Sequence, residues 1–442
     1  MIQPTRILAI IVIAASFAGP APGQSGVTEI MRWQYGKTAA VSLTWDDGSI
    51  NQFRVAVPIM DRLGFPATFF IITGNIPGSR YHGAFIGRPA SEIIRETAGV
   101  PTNRDNFFER ASAIGFLGYS GTLSYHTRAG ELYDEGKSPE KAYQLIDEGY
   151  AKVRQGLFQS RSAQEAAAPG PDRITWDELS ALAQRGYELA SHTVTHPRLA
   201  ALDEPNLVYE LEKSRQDLLD HLGAKHTFSV ECPYGTENER AVDYALARYQ
   251  TARNRILDSY VEDLDRGSKM DPGASTKEYV RWQRGPLTET PMALMKSWVD
   301  TIASHSNLWL VLVFHGVDSI GWKPKTGAEL TEYFEYIKSQ QDRLWVATFQ
   351  DVTKYMRERM HGEVRSYREG NTISVVLRDD LKDTSYNLPL TLRTSVPSEW
   401  TAVDVHQGPR SQRVAVMRDH NLNYVLYQAE PNAEAVTLAP AN

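Results

Sequence analysis

Two adjacent carboxylates, Asp46 and Asp47, close a β-prone run (Ala39 to Thr44, then Trp45) and are followed by Gly48. Neighbouring side chains at a strand end diverge, so the pair is suited to two jobs. One carboxylate can bind a metal ion while the other accepts a proton from water on that ion. Farther along, His192 and His196 are four positions apart, which puts both on one side of a helical turn, where they can grip a single ion. With one carboxylate they make a two-histidine, one-carboxylate set that leaves positions open for water and substrate. Alone, an HxxxH pair is more readily a solvated surface pair than a metal site, and Asp-Gly is common in turns. A metal site requires both motifs in one fold.

The elements that would hold them alternate. β-prone runs at Ala39–Thr44, Ala67–Ile72, Tyr187–Ala190, Thr227–Val230, Leu308–Phe314 and Trp345–Phe349 are separated by helical spacing at 52–63, 206–222, 239–248, 292–304 and 330–340. That order predicts a parallel sheet or barrel with helices outside. Four runs lead into polar motifs: Asp46-Asp47-Gly48, His192 to His196, Pro233-Tyr234-Gly235 and His315-Gly316. Parallel barrels gather chemistry at the C-terminal ends of their strands, so the four endings should converge.

Between about Pro77 and Arg173 the chain is helical in tendency and poor in strands, and it ends in the low-complexity Ala166–Pro171. It reads as a long insertion on the side where barrels do chemistry, able to offer Tyr119 or His126 to a cleft. From about Gly362, short β-rich runs separated by turn residues predict a small antiparallel sandwich. The predicted architecture is an α/β protein: a distorted (β/α)7 barrel over residues 24–360, with the insertion at about 77–173 and a β-sandwich at 361–442. Arg6, an apolar run from Ile7 to Ala18 and small residues to Gly23 read as a signal peptide over residues 1–23, shorter than the ~20 apolar residues that span a bilayer. The expectation is a secreted or periplasmic protein without stable membrane insertion.

Forty-seven Lys and Arg against 54 Asp and Glu give a net charge of −7, which argues against nucleic acid held through phosphate contacts. The lone cysteine, Cys232, has no internal disulfide partner and no recognisable His-Asn arrangement, so it reads as a packed thiol. Gly136-Lys137-Ser138 lacks the upstream glycine of a phosphate-binding loop, and neither GxSxG nor HExxH occurs.

In order and spacing, Thr44-Trp45-Asp46-Asp47-Gly48, the His192–His196 segment, Pro233-Tyr234-Gly235 and His315 resemble the motifs of the polysaccharide deacetylases, the NodB-homology carbohydrate esterases. The resemblance implies Asp46 as general base and Asp47, His192 and His196 as ligands of a divalent metal, usually zinc. It implies Thr193 steadying the metal loop, the Tyr234 N–H stabilising an oxyanion, and His315 as general acid. The substrate implied is an acetylated polysaccharide or oligosaccharide, with Trp322 and Tyr234 available to line its pocket. Three rival activities stand beside it on the sequence: O-deacetylation of a polymer such as acetylxylan; hydrolysis of a small cyclic amide, as in related cytosolic amidohydrolases, against which the signal peptide argues; and carbohydrate binding without catalysis. No oligomeric state is implied.

The match departs from the family pattern in three places. Trp45 stands where phenylalanine is commoner. Glu231 stands where many members place the arginine that orients the base, leaving Arg253, Arg281 or Arg284 to supply it. The aspartate that supports the last histidine is not evident, with Asp351 as its candidate.

Overall fold

The computed structural model describes residues 25–159, 173–381, 384–386, 388–419 and 422–441; the expected signal peptide and the stretch Ala166–Pro171 lie outside them. The chain divides into two compact units. The larger comprises Arg32–Met360 with Leu381–Leu388. The smaller joins residues 25–31 to His361–Asp380 and 389–441.

The smaller unit begins with β1 (Thr28–Ile30). The larger is built on a nine-stranded sheet: β2 (Ala39–Trp45), β3 (Thr68–Ile71), β4 (Glu188–Ser191), β5 (Ser229–Val230), β6 (Thr251–Ala252), β7 (Val261–Leu264), β8 (Tyr279–Arg284), β9 (Leu308–Phe314) and β10 (Leu344–Val346). The order is β6-β5-β4-β3-β2-β9-β8-β7, every pairing is parallel, and β10 lies beside the first half of β2. With helices between the strands, this is the distorted (β/α) barrel. Its central strands β2 (AAVSLTW) and β9 (LWLVLVF) are buried at every position. Such near-continuous apolar runs belong to a sheet covered on both faces.

Because all strands run one way, their C-terminal ends share one edge. Trp45 ends β2 with its ring stacked 4.6 Å from Phe314 and 6.2 Å from Phe69. Its buried Nε1 has no hydrogen-bond partner among the described residues, a desolvation cost that phenylalanine would avoid.

The predicted insertion is helical: Ala90–Glu96, Phe107–Gly115, Thr122–Asp134 and Pro139–Arg154. Ile93, Phe107, Ile114, Ile146 and Tyr150 form its own small core, which reaches Ala201 of the barrel.

In the smaller unit, β11 (Glu363–Glu369), β12 (Thr372–Arg378), β13 (Leu390–Ser395), β14 (Ala402–Gln407), β15 (Arg410–Ala415), β16 (Met417–Asp419), β17 (Leu422–Ala429) and β18 (Val436–Pro440) make two antiparallel sheets. Their orders are β1-β13-β17-β16 and β11-β12-β18-β14-β15. Alternate residues such as Ile373, Val375, Leu377 and Val425, Tyr427, Ala429 are buried, the period-two pattern of a sandwich. β1 pairs with β13 from far upstream in the chain; a three-residue strand carries no pattern by which the sequence could announce that.

Candidate active site

Asp47, His192 and His196 each present a donor atom, all within 4.8 Å of one another. Asp47 Oδ1 lies 3.6 Å from His192 Nε2 and 3.4 Å from His196 Nε2. One oxygen and two imidazole nitrogens suit a divalent ion of the zinc type. The tautomer also fits: the Glu231 backbone carbonyl lies 3.0 Å from His192 Nδ1 and accepts its proton, leaving Nε2 unprotonated toward the cluster. Burial, and then neighbouring His192, push His196 down to about 3, so it is a neutral donor at ordinary pH. Burial would lower His192 as well, but its hydrogen bond to Asp47 and the charges of Asp46 and Asp47 outweigh that and raise it, so a bound cation would displace an Nε2 proton there.

The backbone that delivers these groups is strained. Asp47 (φ 74°), Thr193 (φ 66°), His196 (φ 60°) and Tyr234 (φ 64°) all sit in the left-handed region, at roughly 1–3 kcal/mol each. Local bonds hold them there. Thr193 Oγ1 accepts from His196 N at 3.0 Å. The buried Glu210 accepts from the amides of Val194 (2.9 Å) and Thr195 (2.8 Å) and from the Thr195 hydroxyl (2.6 Å). Glu210, on the helix Glu204–Leu222, is a residue that sequence reasoning missed; a lone glutamate on an amphipathic helix carries no signal.

Asp46 is buried beneath this cluster. Arg253 donates to both its oxygens at 2.6 Å, and also to Thr44 Oγ1 at 2.8 Å and Glu231 at 2.9 Å. Burial would raise the Asp46 carboxyl; Arg253 and then His315 overcome that and hold it well below the usual carboxylate range. Burial instead pushes Glu231 up, with Arg253 opposing. The guanidinium therefore serves Asp46 first.

Of the three arginines that could replace the one missing at Glu231, Arg253 reaches the base. Arg281 grips Asp263 and the Arg253 carbonyl, and Arg284 stacks over Trp282. Arg253 follows β6, four strand spacings from β2. In a flat sheet that is about 19 Å, so the 2.6 Å contact exists only because the sheet curls.

His315, after β9, brings Nε2 to 3.4 Å from Asp46 Oδ2 and packs edge-on against Trp322 at 4.7 Å. Its buried Nδ1 has no partner among the described residues. Burial lowers its basicity, Asp46 and Asp47 acting in the other direction. Asp351 does not support it. β10 pairs with the first half of β2, so the following helix starts beside Thr68 and Glu188, the residues that open β3 and β4, at the far end of the barrel.

The six residues singled out from the sequence, Asp46, Asp47, His192, His196, Tyr234 and His315, line one cavity of about 380 Å³ with Trp322, Gly235, Arg198, Glu135 and Arg266. Arg198 lies 4.2 Å over the Tyr234 ring and is ion-paired to Glu135. The insertion thus reaches the cavity through Glu135. Neither Tyr119 nor His126 lines it. His126 is buried, bonded to Ala111 O (2.8 Å) and Arg198 N (3.0 Å), and ties the insertion to the chain after the metal loop.

The sequence profile of the polysaccharide deacetylase family matches residues 34–99 and 133–250. A gellan lyase from a Bacillus species is 24% identical over 273 residues, 59% of this chain; the chain spans 11% of the length of that relative. Similar solved structures include the Xyl-CE4 domain of a multidomain xylanase from the hindgut metagenome of Trinervitermes trinervoides (11% identity, 72% of this chain and 90% of that one, TM-score 0.34). A peptidoglycan deacetylase from Bacillus subtilis gives 12%, 75%, 96% and 0.33. A family 4 carbohydrate esterase from Streptomyces lividans, in complex with acetate, gives 12%, 70%, 91% and 0.31.

Proposed function

We propose that the chain is a member of the polysaccharide deacetylase family, whose profile matches residues 34–99 and 133–250, and that it is a metal-dependent hydrolase releasing acetate from N-acetyl groups of an amino-sugar polymer or oligomer. The observation that carries this reading is the meeting, in one cavity, of the Asp47–His192–His196 donor set with a second carboxylate held ionised by Arg253 and a histidine 3.4 Å from it.

A divalent ion held by Asp47, His192 and His196 would polarise the acetyl carbonyl and make a neighbouring water more acidic. Asp46, ionised, accepts the proton of the attacking water. His315 Nε2 receives that proton from Asp46 Oδ2 and delivers it to the departing amine nitrogen as the C–N bond breaks. The proton lost by water thus ends on the leaving group, and both side chains return to their starting states. His315, kept weakly basic by burial, gives the proton up readily. Trp322 and Tyr234, both partly exposed in the cavity wall, offer flat apolar faces for the acetyl methyl or a sugar ring. The apolar run at 7–18 supports export, so the polymer would be met outside the cytoplasm.

The test is acetate release from N-acetylglucosamine oligomers beside acetylxylan. Release from the oligomers supports amide hydrolysis. Release from acetylxylan alone makes the enzyme an esterase, and silence on both favours carbohydrate binding without catalysis.

A further inference from the structure

A second cavity, of about 570 Å³, lies at the end of the barrel opposite the catalytic one. Its walls come from Ala224–Thr227, which precede β5, from Gln250, which precedes β6, and from the helix Phe349–His361 that starts beside the first residues of β3 and β4. Four cations line it, Arg215, Lys225, Arg248 and Lys354, against one carboxylate, Asp351, on a chain whose net charge is −7.

Lys354 is the informative member. It is 6% exposed, yet its ammonium makes no hydrogen bond or ion pair among the described residues; it lies 4.8 Å from the centre of the Phe228 ring. The other buried Lys and Arg among those residues are all matched to a carboxylate: Arg110 to Glu96, Arg198 to Glu135, Arg253 to Asp46, Arg281 to Asp263 and Lys325 to Glu329. An unmatched buried charge is costly. Among the described residues Arg215 makes no ion pair either, and its Nε is buried without a partner. Arg248 is tied to Glu212, so it adds field more than a free donor. Burial pushes the Lys354 ammonium below its ordinary value, and Asp351 and then Glu188 oppose that only in part.

We propose that this cavity binds an oxyanion group, carried by free phosphate or by the acid group of an anionic sugar, with Lys354 and Arg215 as its principal donors. A guanidinium fork and an ammonium converging on one polar cavity are the donor types that recognise phosphate and carboxylate oxygens. The site is separate from the catalytic cavity, with which it shares no lining residue.

The test is calorimetric titration of the full chain with inorganic phosphate and, separately, with glucuronate, each against sodium chloride of equal ionic strength. One-to-one binding is expected, weakened about tenfold or more by Lys354→Met and by the double variant Arg215→Ala/Lys225→Ala. The double variant, which leaves the buried lysine in place, keeps the test open if Lys354→Met fails to fold. Binding of phosphate alone supports the site with a free anion as ligand; binding of glucuronate supports it with a sugar acid. No binding of either anion up to about 50 mM, or binding unchanged in the variants, overturns the proposal.

Discussion

Replacing Arg253 by methionine should both destabilise the barrel and displace the pH dependence of activity. In the wild type one guanidinium makes two 2.6 Å bonds to Asp46 and one of 2.9 Å to Glu231, with all three groups buried. Methionine fills similar space but leaves two buried carboxylates facing each other. Removing one partner of a buried ion pair costs about 3–5 kcal/mol. The depressed pKa of Asp46 contributes stability that is complete above its ordinary value near 3.8 and is lost as pH falls below it. Without Arg253, burial dominates and raises the carboxyl, so protonation then stabilises the variant. The stability gap should therefore narrow when pH is lowered from about 7 to 5.

Activity should follow the same groups. The acid limb of kcat/KM moves to higher pH, and the rate at neutral pH falls roughly 100-fold, the worth of a positioned general base. Urea unfolding followed by tryptophan fluorescence at several pH values, together with a pH profile of acetate release, reads both effects. Adding Glu231→Gln to the methionine variant should recover part of the lost stability, because one unmatched carboxylate is gone. An Arg253→Met protein within about 0.5 kcal/mol of wild type, with an unmoved acid limb, would refute the reasoning.

Glu210→Ala should weaken metal affinity about 10- to 100-fold, because the amides of Val194 and Thr195 and the Thr195 hydroxyl lose the acceptor that holds the metal loop; equilibrium competition with a chromogenic chelator measures this. Gly74→Ala should do likewise, since a Cβ there would lie 2.6 Å from the Val194 carbonyl oxygen and would push the loop outward. His126, held by burial at about 4, should cost stability as pH falls from 6.5 towards 4, by up to ~3 kcal/mol. His126→Gln should flatten that dependence in urea midpoints, and an unchanged slope would contradict the assignment. Cys232, fully buried with its thiol pushed up by burial, should resist a thiol reagent in the native protein and react once unfolded.

Much of the barrel and of the site's outline was legible because the informative residues sit next to the pattern that positions them. Asp46 and Asp47 follow a seven-residue buried strand, and His315 follows another, so strand periodicity and site chemistry are read from the same stretch. Arg253 could be named only among three arginines, because choosing it depends on the curvature that brings β6 to β2. Asp351 misled for the opposite reason. Its strand ends like the others in sequence, but β10 stops beside Val41, halfway along its neighbour, and so points its following residues to the wrong end. Glu135, just past the helix Thr122–Asp134, and Glu210, on the helix Glu204–Leu222, were missed because each acts through tertiary packing. β1 was missed because three residues carry no periodicity.

The central claim is that Asp47, His192 and His196 hold a metal ion on which Asp46-dependent acetate release relies. Its most direct test measures acetate release from an N-acetylglucosamine oligomer, together with bound divalent metal, for wild type and Asp46→Asn before and after chelation. Wild-type release should be abolished by chelation and restored by one equivalent of metal, and the Asn variant should bind the metal but release no acetate. Release that survives complete removal of metal, or that persists undiminished in Asp46→Asn, would contradict it.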